Sequence, residues 1–584
     1  MAPQTTKENG STSNPNSSSN GAEVLVRALH DAGVRTIFAN PGTTEMHIVG
    51  AMDTATLDPS AFRSVLCLHE TVCTGAADGY GRMARKPAAT LLHLGVGLAN
   101  GLANLHNARR ARSPIINVVG EMSTWLKEHD PVLNTDIEAM ARTVCEADAV
   151  RTVKRSEDLA KSAHDAVAAC LSPGEPRRSR VATLVVPHDL AYEEDVAVRQ
   201  AQPAPARGPP DDVGAAAFIK ACAKALRACP RGKAALLVGG AATLSDDGAL
   251  ARVGRIAAAV GASLFCENNF ARLDRGVGLP VPRRLSYFPE DAMRELKAYD
   301  TIVCIDCRRP VAMFGYAKGP AALLPEPGAQ GAPPAAGEGE EDDRVWELDA
   351  SGHVGDALRM LEAEVGAARV TPGTNCGGLF VCEERRPAMP NADAKLTAAA
   401  LCAVVARRQP AGCVVVDESL TSGTCYFDYS KACPPFHHLT LTGGAIGCGP
   451  PLAVGAALGA PDAPAVITLQ ADGSGLYSVQ ALYTQAREGL HVITVVCKNA
   501  RYNILNLELA KQRVPSKTQG LGKGKGQGAS HTARMTDIAG VDWCGLAPAL
   551  GVPATQATTA GELDAQLVEA LARDGPSLIE CVLP

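Results

Sequence analysis

A chain of 584 residues with 46% hydrophobic and 20% charged positions is long enough for three domains of ordinary size, each with its own core. Its net charge of −6 excludes the basic footprint of a nucleic-acid binder. No apolar run approaches the ~20 residues that span a bilayer, which excludes a helical membrane protein as well.

Residues 1–21 read as a disordered tail. The stretch MAPQTTKENGSTSNPNSSSN lacks the apolar segment of a secretory signal and the arginines of an organellar transit peptide, so a cytoplasmic protein is expected. Nineteen cysteines in such a chain fit reduced core thiols better than a disulfide scaffold. Cys304 and Cys307 have a metal-like spacing, but they fall inside the strand-like run TIVCIDC with no second pair to complete a zinc site. Core packing is the better reading.

The first block, residues 22–195, alternates strand-like and helix-like segments, with strands TIFAN (36–40), SVLCLHE (64–70), ATLLHLG (89–95), PIINVVGE (114–121) and ATLVVP (182–187). The turn Asn40-Pro41-Gly42-Thr43-Thr44-Glu45 follows the first strand, and Thr43 serves equally well there as a turn residue or as a group facing a substrate. Glu70 ends one strand and starts the helix TVCTGAADGYGRMAR, where the helix dipole favours a carboxylate whatever else it does. His93 closes the next strand, and the run Gly95-Val96-Gly97-Leu98-Ala99-Asn100-Gly101 follows it. That run has the look of a dinucleotide-binding glycine turn. It lacks the third glycine of GxGxxG, however, and no acidic residue ends a clear strand ~20 positions on. A NAD-linked oxidoreductase is therefore kept as a distant alternative.

The stretch QPAPARGPPDD (202–212) reads as a linker. The central block, residues 213–366, has strand-like AALLVGG, ASLFCEN, TIVCIDC and VWELDA, and its low-complexity segment 323–343 reads as a disordered surface loop. A second linker, residues 367–393, leads to the third block, residues 394–584. There Asp417-Glu418-Ser419-Leu420-Thr421-Ser422 ends a strand, and the hydroxyls of Ser419 and Thr421 suit either a ligand or a helix cap. Thr442-Gly443-Gly444-Ala445-Ile446-Gly447 follows another strand, and its glycines allow close backbone approach.

The run from Val466 to Asn499 then reads strand, acidic turn, amphipathic helix, strand, carboxamide, which is a parallel βαβ unit. Parallel strands bring Asp472 and Asn499, 27 positions apart, to one carboxyl edge, where open α/β sheets bind ligands. A carboxylate and an amide oxygen are hard donors that suit Mg²⁺, and Gly473 and Ser474 bring N–H groups toward phosphates. Singly, these residues read as a cap and a turn former; paired at this spacing they favour a metal–diphosphate site. The Gly/Lys-rich segment 517–531 fits a lid and a solvated loop equally. The three blocks together give the fold class: α/β, with three doubly wound parallel-sheet domains.

These motifs resemble those of the thiamine-diphosphate (ThDP) enzyme family. ADGS, the 27-residue step and KN resemble its GDG…NN signature, departing at Ala471 and Lys498, and HETVCTGAADGYGR resembles the block around its catalytic glutamate. The likeness covers nearly the whole chain beyond the tail, in the order pyrimidine-binding, central and diphosphate-binding domain, and points to acetolactate synthases and benzoylformate decarboxylases. It implies that Glu70 hydrogen-bonds N1′ of the aminopyrimidine, promoting the 4′-imino tautomer that takes the proton from thiazolium C2. It places Ile446, in the turn with Gly444, as the apolar wedge that bends the cofactor. Gly473, Ser474, Ser419 and Thr421 would line the diphosphate, and Asp472, Asn499 and the backbone carbonyl of Arg501 would hold Mg²⁺. Thr43 stands where benzoylformate decarboxylase has serine, and His93 matches a strand-end histidine of that enzyme. A second histidine of that enzyme aligns near Gly315 and is absent here.

The implied reaction is decarboxylation of a 2-oxo acid and transfer of the enamine to a second 2-oxo acid, as in the acetolactate synthases of branched-chain amino acid biosynthesis. The alternative is a benzoylformate-decarboxylase-type reaction in which the enamine is protonated and an aldehyde leaves. The resemblance also implies a homodimer or homotetramer, with Glu70 acting across the subunit interface, and neither a nucleic-acid nor a membrane partner. A catalytically silent regulatory subunit is a third reading, which Glu70 argues against. FAD, held by many acetolactate synthases in the central domain, is expected to be dispensable, since residues 267–291 show no clear match to their flavin-binding segments.

Overall fold

The computed structural model describes residues 19–53, 62–171, 179–196, 212–239, 248–307, 309–316, 319–324, 344–348, 354–371, 378–512 and 530–584. Nearly all of the expected N-terminal tail, the 202–212 linker, the 323–343 loop and the 517–531 loop lie outside the described residues.

The first block forms a six-stranded, wholly parallel sheet from β1 (Thr36–Asn40), β2 (Arg63–Leu66), β3 (Ala88–Leu92), β4 (Ile115–Glu121), β5 (Val150–Thr152) and β6 (Val181–Pro187), in the order β2-β1-β3-β4-β6-β5. Every residue of β3, β4 and β6 is buried, which is why these strands read as unbroken apolar runs rather than alternating ones. The central block contributes β7 (Ala234–Val238), β8 (Ser263–Cys266), β9 (Arg272–Arg275), β10 (Arg283–Arg284), β11 (Thr301–Ile305) and β12 (Val345–Leu348). Five of these make a second parallel sheet, β10-β8-β7-β11-β12. Cys304 and Cys307 are buried free thiols of this core.

The third sheet contains β13 (Val414–Glu418), β14 (Phe436–Thr440), β15 (Val466–Ala471), β16 (Val492–Lys498), β17 (Ala554–Ala557) and β18 (Ser577–Val582), in the order β17-β18-β16-β15-β13-β14-β9. Its one antiparallel member is β9, lent by the central block and paired with β14. The sequence RLDR carries no strand signal because only Leu273 packs in an apolar core, and its three charged residues are held by tertiary partners. Arg272 pairs with Asp274, and the Arg275 guanidinium lies 3.7 Å from the centre of the Phe427 ring and donates to Ser430 Oγ at 2.9 Å. The helix expected after Asp472 is also broken, into a short turn at Asp472–Gly475, a 3₁₀ turn at Leu476–Ser478 and a helix at Ala481–Arg487. Gly473 and Gly475 are poor helix formers, and each packs closely on an aromatic side chain: a Cβ on Gly473 would stand 2.5 Å from the Tyr502 ring and one on Gly475 2.9 Å from that of Trp543.

The first and third blocks meet through the helices Glu70–Ala84 and Gly449–Gly459. Their backbones nearly touch: a Cβ on Gly79 would stand 2.1 Å from the Leu452 carbonyl oxygen, and one on Gly455 1.8 Å from that of Ala76. Beside this contact Arg82, fully buried, donates from Nε to Asp78 Oδ1 at 2.8 Å. Its Nη1 donates to the carbonyls of Ala271 (3.1 Å) and Thr440 (2.7 Å), and its Nη2 to Thr442 Oγ1 (3.1 Å). One guanidinium thus ties all three blocks. Asp78→Ala, which strands that charge without its carboxylate, is expected to destabilise the fold by about 3–5 kcal/mol, read as an earlier urea transition. An unchanged midpoint would contradict this role for the pair.

Candidate active site

At the carboxyl edge of the first sheet, β2 turns into the helix Glu70–Ala84, whose N-cap His69 accepts the Thr71 N–H on Nδ1 at 3.1 Å. Glu70 is 6% exposed, and both of its oxygens are held by neutral carboxamides: Asn40 Nδ2 donates to Oε1 at 3.1 Å and Asn100 Nδ2 to Oε2 at 3.0 Å. A Cβ on Gly97 would lie 3.2 Å from Glu70 Oε1, and one on Gly95 1.8 Å from Thr135 Oγ1. The glycine run therefore serves close packing against Glu70 and Thr135, and its resemblance to a dinucleotide turn has that ordinary cause.

A second carboxylate stands on the same edge. Glu45 is fully buried. Its Oε2 lies 2.8 Å from His93 Nδ1 and accepts the Gly42 N–H at 2.9 Å, while Oε1 accepts from Thr44 Oγ1 at 2.6 Å. A carboxylate on Nδ1 fixes that nitrogen as the N–H, which leaves Nε2 of the partly exposed imidazole to exchange protons. Thr44, 3.4 Å from His93 Nδ1, is the threonine in this cluster; Thr43 lies exposed one residue earlier in the same 3₁₀ turn, Thr43–Glu45.

The third sheet brings Asp472 and Asn499 together from β15 and β16. Asp472, 3% exposed, accepts the N–H groups of Gly473 (2.8 Å) and Ala500 (2.7 Å). Burial pushes its pKa above the usual carboxylate range against these donors. Asn499 Oδ1 accepts the Arg501 N–H at 3.1 Å, and the Arg501 side chain turns away to donate to the Pro584 carbonyl at 3.1 Å. Among the described residues no group of three or more His, Cys, Asp or Glu could hold a metal ion. A cation at Asp472 and Asn499 would take its remaining oxygens from backbone, water and ligand phosphates, as Mg²⁺ commonly does.

Facing this turn is the loop after β14. Asn107, fully buried, accepts the N–H groups of Gly443 (3.1 Å) and Ala445 (3.2 Å) on Oδ1 and donates to the Ala445 carbonyl at 2.8 Å. Gly444 takes φ +81° within this loop, and Ile446 is half-buried at its end. Ser419 is buried and its hydroxyl donates to Asp417 rather than outward, whereas Thr421 is partly exposed in the 3₁₀ turn Leu420–Gly423.

Leu94, Leu420 and Ala500 adopt left-handed φ values of +51°, +50° and +58°. Each directly follows a site residue named above: His93, Ser419 or Asn499. Such strain costs roughly 1–3 kcal/mol apiece and gathers where a strand end must present a side chain in a fixed direction.

Comparison with known proteins accords with this geometry. The family profile "Thiamine pyrophosphate enzyme, N-terminal TPP binding domain" matches residues 19–140, and its C-terminal TPP-binding counterpart matches residues 422–581. A Mycobacterium tuberculosis protein, provisionally named acetolactate synthase large subunit IlvX, is 40% identical over 570 residues, covering 97% of this chain and 99% of its own. The chain belongs to the ThDP-dependent enzyme family. Within that family, benzoylformate decarboxylase of Pseudomonas aeruginosa is 26% identical over 94% of this chain and 96% of its own. The ThDP-dependent 4-hydroxybenzoylformate decarboxylase of Rhodococcus jostii shares the fold, with a TM-score of 0.76 at 22% identity over 97% of this chain and 99% of that one. The protein is thus a ThDP enzyme of the acetolactate synthase and benzoylformate decarboxylase group.

The residues present fit the cofactor. The Asp472 carboxylate and the Asn499 carboxamide are hard oxygen donors of the kind Mg²⁺ takes, and Glu70, held by two neutral carboxamides, keeps acceptor capacity for an aminopyrimidine N–H. Asp472→Ala is expected to weaken Mg²⁺ and ThDP binding together, by tenfold or more in titration calorimetry, while the apo-protein stays folded. A mutant that bound ThDP as tightly as the parent would remove Asp472 from the metal site.

Proposed function

We propose that this ThDP enzyme uses Mg²⁺ to decarboxylate a 2-oxo acid and transfers the remaining carbon unit to a second 2-oxo acid, in the manner of the acetolactate synthases that serve branched-chain amino acid synthesis. The full-length likeness to IlvX is the observation that carries this reading. When bound, ThDP supplies the nucleophilic carbon and the electron sink. Glu70, oriented by Asn40 and Asn100, holds the proton at the aminopyrimidine N1′. Asp472, Asn499 and the Arg501 carbonyl would hold Mg²⁺, Ser474 would offer its N–H to the diphosphate with Thr421 beside it, Gly473 would let the backbone come close, and the turn of Gly444 and Ile446 would shape the pocket from the other side.

The Glu45–His93 pair supports a second reading, a decarboxylase in which His93 Nε2 delivers a proton to the carbon and an aldehyde leaves. A homodimer, or a homotetramer built from it, is supported by apolar side chains left exposed on the first block. Val96 is 42% exposed, Trp125 62% and Val132 97%, and Ala99 and Ala103 continue the stripe of Val96 along the helix Leu94–Ala111. No helix among the described residues is long and apolar enough to cross a membrane, and a cytoplasmic setting accords with that. None of the steps assigned here transfers net electrons, so FAD has no chemical part in them.

The deciding experiment is incubation of the purified enzyme with ThDP, Mg²⁺ and a panel of 2-oxo acids, with products identified by mass spectrometry. A 2-hydroxy-2-alkyl acid supports transfer, and an aldehyde alone supports the decarboxylase. Glu70→Gln is expected to retain the fold and ThDP binding but to lose about 10²–10⁴-fold in turnover. Undiminished exchange of the cofactor C2 proton in that variant would rule out the role given to Glu70.

A further inference from the structure

Glu418 ends β13 with its carboxylate 1% exposed. It accepts three consecutive backbone N–H groups: Gly447 (2.6 Å) and Cys448 (3.2 Å) on Oε1, and Gly449 (2.7 Å) on Oε2. Those groups form the N-terminus of the helix Gly449–Gly459, an arrangement that attracts anions in many folds and here is filled by the chain itself. Oε2 also accepts from Gln470 Nε2 at 3.0 Å, and the same nitrogen lies 2.7 Å from Ser474 Oγ and 3.2 Å from the Ala471 carbonyl. The contact leaves no slack: a Cβ on Gly449 would stand 2.0 Å from Gln470 Oε1 and 2.9 Å from Glu418 Oε2.

Two buried side chains therefore run between the two cofactor-facing turns. One end of the bridge fixes the residues directly after Ile446, and the other fixes the turn Asp472-Gly473-Ser474. We propose that Glu418, acting through Gln470, is a positioning residue that sets the distance between the turn shaping the cofactor and the turn holding its metal-bound diphosphate. A carboxylate is required at 418 because three donors converge on it. An amide there would set its own N–H₂ against at least one of them and leave a buried donor unpaired. At 470 a carboxamide suits the position because its N–H₂ donates to Glu418 and to Ser474 at once without bringing a second buried charge.

The inference rests on the ThDP reading, and the test separates the two. In the full-length enzyme, Glu418→Gln and Gln470→Met would be compared with the parent by ThDP–Mg²⁺ titration calorimetry, by thermal melting and by C2-proton exchange of the bound cofactor at saturation. Both variants are expected to bind ThDP at least tenfold more weakly and to exchange the C2 proton at least tenfold more slowly when saturated. The double variant should be no worse than Glu418→Gln alone, since the two residues form one bridge. Gln470→Met leaves the carboxylate on its three N–H groups, so it decides the matter even if Glu418→Gln fails to fold. Parental affinity and exchange in Gln470→Met would overturn the proposal, as would variants that melt earlier but exchange normally at saturation. A parent that binds no ThDP would overturn the cofactor reading itself, and this inference with it.

Discussion

The near-contact between the helices Glu70–Ala84 and Gly449–Gly459 governs where the site residues stand. The N-terminus of the first carries Glu70, and the N-terminus of the second follows the turn of Ile446. Backbone lies against backbone at Gly79 and Gly455, so any side chain there would drive the helices apart and change the relation between the two turns. Arg82 then locks the arrangement by donating to atoms from the central and third blocks while its own helix supplies the counter-charge at Asp78. Breaking such a buried pair is costly because the partner left behind keeps its charge in a dry site.

Within that frame the carboxylates are held in three different ways, and the differences match the work assigned to them. Glu418 is saturated by backbone N–H groups and an amide, which suits a fixed strut. Glu45 faces an imidazole, which makes it an orienter of His93. Among the described residues the side-chain donors to Glu70 are two neutral carboxamides, so it is aimed without a full counter-charge and retains acceptor capacity for an incoming group. The left-handed residues Leu94, Leu420 and Ala500 belong to the same logic, because each is the sharp bend that follows a strand-end side chain.

The parallel strands were legible in the sequence because burial on both faces makes them continuous apolar runs, and Asp472, Asn499 and Glu70 were legible because they punctuate those runs. β9 was not, since RLDR owes its place to Phe427, Ser430 and His437, far away in the chain. Asn107 was equally silent. An asparagine in the middle of a helix looks like a solvent-facing residue until Gly443, 336 positions on, is found bound to it. Asn40, Asn100, Glu45 and Glu418 share that property: a polar residue in a strand, turn or helix has many local uses, and only the tertiary partner tells which one applies. Thr44, and not Thr43, stands beside His93 because a 3₁₀ turn rotates successive side chains by about a third of a circle.

The two proposed readings, ligation and simple decarboxylation, assign the same residues to the cofactor, so those assignments carry no information about which reaction follows. In the proposed chemistry the outcome turns on what first reaches the carbon left after CO₂ departs: a proton or a second 2-oxo acid. In this reading the proton source is His93, anchored through Nδ1 to a carboxylate that has no access to solvent. A histidine so fixed delivers from one direction only, and a second substrate arriving from another direction is not obstructed by it. The Glu45–His93 pair is therefore compatible with transfer so long as Nε2 stands off the line of approach, and it becomes the decisive acid once that line is closed. Selectivity between the two fates then lies in the walls around His93, not in the ThDP signature that identifies the family.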